Sequence, residues 1–149
     1  MHFRKLTGSG VVFVLLVSVC FAQGQFDFDK AVYVMPVEGS KAEAIPGVLR
    51  FDSAKKEMQF VKTSGPPVLS VKYEAIKGLL YENAAKPRYA AGLVVPPLFF
   101  TKSKKHYLTI SYYDVAGTPR YAIFHLDKSN IQEALTRSES ETGRKMERD

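Results

Sequence analysis

The chain has 149 residues, with 21 Lys and Arg against 15 Asp and Glu, for a formal net charge of +6. Apolar residues make up 46% and charged residues 24%, the balance of a folded globular chain. A single cysteine excludes a disulfide framework, and lysines scattered among glutamates are not the clustered basic face that nucleic acid requires.

The N-terminus carries the first readable element. Arg4 and Lys5 precede "VVFVLLVSVCF" (11–21), and Ala22 is followed by a polar "QGQ". A basic start, a short apolar core and a small residue before the cut describe a secretory signal peptide over residues 1–22, cleaved after Ala22. The apolar run is shorter than the roughly 17–25 residues of a membrane span. Two rival readings are an uncleaved signal anchor and lipidation at Cys20. The second is disfavoured by Val19, where lipoprotein boxes carry a small residue. Cleavage would export the chain to the periplasm or the outside and leave it without cysteine.

Residues 23–46 read as an N-terminal strand and a loop. "FDFDKAVYVMPV" (26–37) alternates acids with apolar residues, and "EGSKAEAIPG" (38–47) is a loop by composition, closed by Pro46 and Gly47. From Gly47 the period is two. Leu49 with Phe51, and Met58 with Phe60, flank a polar "DSAKKE", which is a hairpin pattern. "KTSGPP" (62–67) breaks the chain. "VLSVKYEAIKGLLYE" (68–82) then places Leu69, Val71 and Tyr73 on one side, and its alternation slips at Ala75-Ile76, as at a bulge or a bend where a strand curls.

In "NAAKPRYAAGLVVPPL" (83–98), Pro87 opens a short helix through Ala91, and Pro96-Pro97 ends whatever element precedes them. "KKHYLTISYYD" (104–114) is a strand with Leu108, Ile110 and Tyr112 facing one way. "RYAIFHL" (120–126) pairs back after a turn. Ser129 and Gln132 form a capping-box pattern, Ile131, Ala134 and Leu135 recur at helical spacing, and Gly143 suits a left-handed stop. Residues 144–149 read as a frayed polar tail.

Short antiparallel strands followed by one amphipathic helix resemble the pleckstrin-homology-like (PH-like) domains of small bacterial exported proteins. The carriers are "GVLRFD", "LSVKYEAIKGLLYE", "KKHYLTISYYD" and "ALTRSESETG", over residues 47–143. The resemblance implies a mainly β fold, a bent antiparallel barrel of two nearly orthogonal sheets with a C-terminal helix over one open end. It implies no cofactor. The basic pattern of the phosphoinositide-binding type is incomplete around Arg50, Lys55 and Lys56, so headgroup recognition is not carried over.

Candidate sites are sparse. Lys102, Lys104, Lys105 and His106 form a cationic group before a strand, either a solvated strand end or an anion contact to an envelope polymer or, weakly, a membrane. Leu93, Val94, Val95, Leu98 and Phe99 form an apolar stretch that caps the barrel or docks a partner. No catalytic or metal motif occurs; a hydrolase would have to be built around His106 and His125. The expectation is a non-catalytic binding or scaffold module of the cell envelope with an unidentified partner. The alternatives are a carrier of a small apolar ligand in a barrel cavity and, behind it, the two-histidine hydrolase.

Overall fold

The computed structural model describes residues 24–37, 39–90 and 103–149. Eight strands form one hydrogen-bonded sheet: β1 (Gln25–Met35), β2 (Glu43–Asp52), β3 (Glu57–Val61), β4 (Pro67–Lys72), β5 (Ile76–Ala84), β6 (Lys105–Tyr113), β7 (Pro119–Leu126) and β8 (Met146–Arg148). Their order is β4-β3-β2-β1-β7-β6-β5-β8, and every neighbouring pair is antiparallel except β5 with β8. Helix α1 (Ile131–Thr142) precedes β8.

The order forces the sheet to curl. β4 lies at one end and β5 next to the other, yet only the 3-10 turn Tyr73–Ala75 separates them. Four peptide steps span at most about 14 Å, far less than the six inter-strand spacings of about 4.8 Å that would separate them in a flat sheet. The slip in period at Ala75-Ile76 is therefore a corner between two strands. Strand β1 joins the layers, pairing along its length with β2 and through Val32–Val34 with β7.

The hairpin of β2 and β3 forms in the expected register, with Leu49 opposite Phe60 and Phe51 opposite Met58. All four side chains are buried, and they meet Ile110, Phe124 and Leu126 from the other layer. Tyr33, Phe60 and Phe124 pack together with ring centroids 5.3 to 5.7 Å apart. The helix contributes Ile131, Ala134 and Leu135 to this core, all buried as its stripe requires. A smaller cluster of Val34, Ala42, Ala90, Tyr107 and Ile123 lies on the opposite, outer face. Strand β6 is thus buried on both faces from Tyr107 to Ile110.

Three local expectations are corrected. The loop over 38–47 is shorter, because Glu43–Gly47 extend β2 opposite Met35 to Ala31. Pro46 fits there because β3 has already ended at Val61, opposite Val48, so this stretch is an edge on that side. The capping box does not form. Asn130 is the N-cap without a side-chain cap bond, and Ser129 instead hydrogen-bonds Asp127. The short helix expected after Pro87 is present as a 3-10 turn, Arg88–Ala90, and Ala91 lies outside the described residues. The tail is not frayed, since Met146–Arg148 pair with Leu79–Tyr81 and Met146 is buried. Gly143 does adopt the expected left-handed conformation, at φ 68°.

Candidate functional site

The two histidines separate. In β6 and β7, His106 lies opposite Leu126 and Tyr107 opposite His125. Directly opposed residues share a face, and neighbours along a strand alternate. His106 is therefore on the side of Leu126, where its Nδ1 meets the Tyr81 hydroxyl at 2.8 Å. His125 is on the other face, its ring 5.8 Å from that of Tyr107. The two imidazoles do not converge on one cleft, which a hydrolase built on both would need.

The cationic group is likewise divided. Lys105 opens β6 opposite Ala84, and Lys104 is exposed just before it. Lys105 shares the outer face with Tyr107, whereas His106 faces the other way. Lys102 and the apolar stretch of Leu93, Val94, Val95, Leu98 and Phe99 lie outside the described residues. Just before that stretch, Tyr89 stacks on Tyr121 at 4.2 Å between centroids, and both rings are substantially exposed.

Register builds a row across the outer face. Glu82 faces Tyr107, Tyr107 faces His125, His125 faces Val32, and Val32 faces Pro46. The row begins buried and ends open. Glu82 is buried and accepts the Arg88 backbone N–H with both carboxylate oxygens, at 3.1 Å each. Burial, then the nearby Lys105 charge, hold the His125 imidazole below its ordinary pKa, against the opposing pull of Asp127.

At the open end lies a groove of about 650 Å³. Its floor is apolar, built by Ala31, Val32, Pro46, Gly47, Val48 and Val61; Asp29, Lys30, Arg50 and the Lys62–Gly65 loop rim it. A bulge shapes one wall. Phe28 pairs with Leu49 and Ala31 with Gly47, so Asp29 and Lys30 together oppose Val48. Lys30 sits at φ 53°, a left-handed conformation uncommon for a residue with a side chain. Asn130 holds the bulge, its Nδ2 donating to the Asp29 carbonyl at 2.8 Å and to Oδ1 at 3.1 Å. The residue at the helix start therefore staples the groove wall instead of capping the helix.

The far wall requires glycine. A Cβ at Gly47 would stand 2.2 Å from the Val61 carbonyl oxygen and 3.0 Å from the Phe60 ring. Electrostatically, Arg50 is committed: its guanidinium makes a two-point contact with Asp27 at 2.8 and 3.0 Å. Lys30 and Lys62 make no ion pair among the described residues. The site thus offers two ammonium groups without a close ion pair, the Asp29 carboxylate, and the Thr63 and Ser64 hydroxyls around an apolar floor. Among the described residues no group of three His, Cys, Asp or Glu is placed to hold a metal, and no helix is long and apolar enough to cross a membrane.

Only part of this arrangement is signalled by sequence. In "FDFDKAVYV" the apolar spacing slips from two to three between Phe28 and Ala31, which marks the bulge. The Lys62–Gly65 loop reads only as a break, and nothing local indicates that it folds against Val32 and Val48.

No protein-family model matches the chain, and no curated protein matches it in sequence. Among solved structures the fold is similar to a chain in the structure of the Spt16D Pob3N heterodimer, at TM-score 0.52 and 13% identity. The fold is PH-like. The match covers 84% of this chain and 53% of that one, so the chain spans about half the length of its structural neighbour. At this identity the likeness concerns backbone architecture alone.

Proposed function

We propose that the chain is a non-catalytic binding module that docks an acidic, extended segment of a partner protein in the groove between β1, β2 and the β3–β4 loop. The observation that carries the reading is charge. Lys30 and Lys62 flank an apolar floor and neither makes a close ion pair among the described residues, although the Asp29 carboxylate lines the groove and Asp127 feels the Lys30 charge; the third cation, Arg50, is paired with Asp27. The barrel interior supports a docking surface over a carrier, because Phe51, Phe60, Phe124, Met58 and Leu49 fill it themselves. The structural neighbour is a component of a heterodimer, which is compatible with an interaction role and names no partner for this chain. Lys105 adds positive charge on the same outer face. We further propose that the module acts outside the cytoplasm, exported by residues 1–22, with the mature N-terminus at Gln23. Mass spectrometry of the protein from its source cells reads this directly, and a lipid-modified Cys20 would replace release by tethering.

The docking reading is tested with a fluorescent glutamate-rich peptide as probe, at 0.05 and 0.5 M salt set in the assay (roughly 14 and 4 Å of screening length). Exposed ion pairs contribute about 0.2–1 kcal/mol each. Replacing both Lys30→Gln and Lys62→Gln should therefore weaken binding about two- to thirtyfold at low salt, with the difference shrinking at high salt. Equal affinity of wild type and double variant would overturn the groove as the site. Anionic vesicles form a separate arm: binding to vesicles and not to the peptide would replace the protein partner by a membrane.

A further inference from the structure

A second surface lies on the opposite side of the sheet order, where the chain's own tail covers the edge of β5. Strand β8 is three residues long, parallel to β5, with Met146 opposite Leu79, Glu147 opposite Leu80 and Arg148 opposite Tyr81. Its recognition is side-chain specific. Met146 is buried in the main core. Arg88 pairs with Asp149 and, at 3.6 Å, with Glu147. The Met146 N–H donates to Glu139 Oε1 at 2.8 Å, and the Asp149 N–H to the Tyr81 carbonyl at 3.1 Å. The edge therefore reads an apolar residue followed by acids one and three positions later.

The occupant leaves one group unanswered. Between β8 and the sheet is a cleft of about 130 Å³, lined by Gly78, Leu79, Leu80, Thr109, Lys145 and Glu147 among others. Thr109 lies opposite Leu80, is 2% exposed, and its hydroxyl has no hydrogen-bond partner among the described residues. A buried hydroxyl without a partner has lost its hydrogen bonds to water and gained none in return. Glu147 stands over the cleft, but its carboxylate is turned to Arg88. The tail is thus a serviceable ligand and not the best one available to this edge.

We propose that the β5 edge is a docking site for an extended segment of a partner protein, guarded by β8. The segment carries an apolar residue in the Met146 position, a short polar residue reaching Thr109 in the Glu147 position, and an acid for Arg88 in the Asp149 position. Gly143, left-handed and with open space around its Cα, is the hinge on which the tail leaves. This site is independent of the β1–β2 groove, and either stands without the other. A tethered tail acts at an effective concentration on the order of 1 mM, so an ordinary peptide cannot compete until the tail is weakened.

The experiment uses the full chain and a labelled synthetic hexapeptide, RKMERD, which is the tail itself. Met146→Ser removes the apolar anchor from the resident tail and leaves Arg88, Thr109 and the edge intact. The variant should bind the peptide saturably at least tenfold tighter than wild type, with shifts at the amides of Leu79–Tyr81 and Thr109. Adding Arg88→Gln to the variant should weaken binding, and a peptide with Asp in place of its Glu should bind more tightly. Hydrogen exchange reports whether the tail has left; where Met146→Ser alone does not release it, Asp149→Lys is added. A released tail with no peptide binding, or shifts confined to other surfaces, would overturn the proposal. So would a wild-type dimer formed by tail exchange, which would make the occupant a second copy of the chain.

Discussion

His125 illustrates how neighbouring positions acquire different roles. It is one residue from the core-facing Leu126, yet it sits on the outer face between Tyr107 and Val32. Burial and Lys105 depress its pKa from the ordinary 6.5, His106 adds to this, and Asp127 opposes it. The unfolded chain therefore binds the proton more readily than the folded one. Stability from this group is fully present above pH 6.5 and declines as pH falls through the folded value. His125→Gln should flatten the decline in urea midpoint between pH 7 and 5, a window above the ordinary 3.8 of the depressed Asp114 and Asp127. An unchanged slope would mean the imidazole titrates alike in both states. At Gly47 the constraint is steric. Gly47→Ala forces a methyl onto the Val61 carbonyl, a backbone atom, and should cost about 1–3 kcal/mol. A midpoint equal to wild type would show that β2 and β3 can separate without loss.

The helix and the tail divide the labour of closing the barrel end. Helix α1 is too short to be stable alone in water, so its buried stripe holds it. Leu135→Ala should cost about 2–5 kcal/mol, read from the urea midpoint; a loss below about 0.5 kcal/mol would mean the helix is not docked. Its polar side is also tied down, with Glu141 accepting from the Ser53 hydroxyl at 2.8 Å and the Tyr73 hydroxyl at 3.2 Å. Arg137 lies 3.6 Å over the Phe26 ring. The stripe and the Gly143 stop were legible because helical spacing and a left-handed glycine are local signals. The capping box misled for a physical reason: Asp127 captures Ser129, and the long-range demand of the Asp29 bulge captures Asn130. The tail misled as well. "RKMERD" is polar in composition, and only the open edge of β5, created elsewhere in the chain, gives Met146 a place to be buried.

Across the molecule, the period of two made the strands legible, and a terminal helix after antiparallel strands made the PH-like class legible. The curl of the sheet was less so. It depends on reading the slip at Ala75-Ile76 as a corner that carries the chain from one end of the strand order to the other. The groove was least legible of all, since its walls come from residues 29–32, 46–48, Arg50 and 61–65. The cationic residues singled out by sequence were adjacent along the chain and are split by the sheet, Lys105 to the outer face and His106 to the inner. The cations that flank the groove are far apart in sequence and meet only through register and a bulge.

The central claim is that this outer-face groove receives an acidic segment, and an amide-shift map of the labelled chain titrated with a glutamate-rich peptide tests it most directly. At low salt the account predicts shifts at Ala31, Val32, Val48 and Thr63–Gly65, extending to the His125 ring, and their collapse at high salt. Shifts confined to α1, to Lys104 and Lys105, or to the β5 edge, or shifts indifferent to salt, would contradict it.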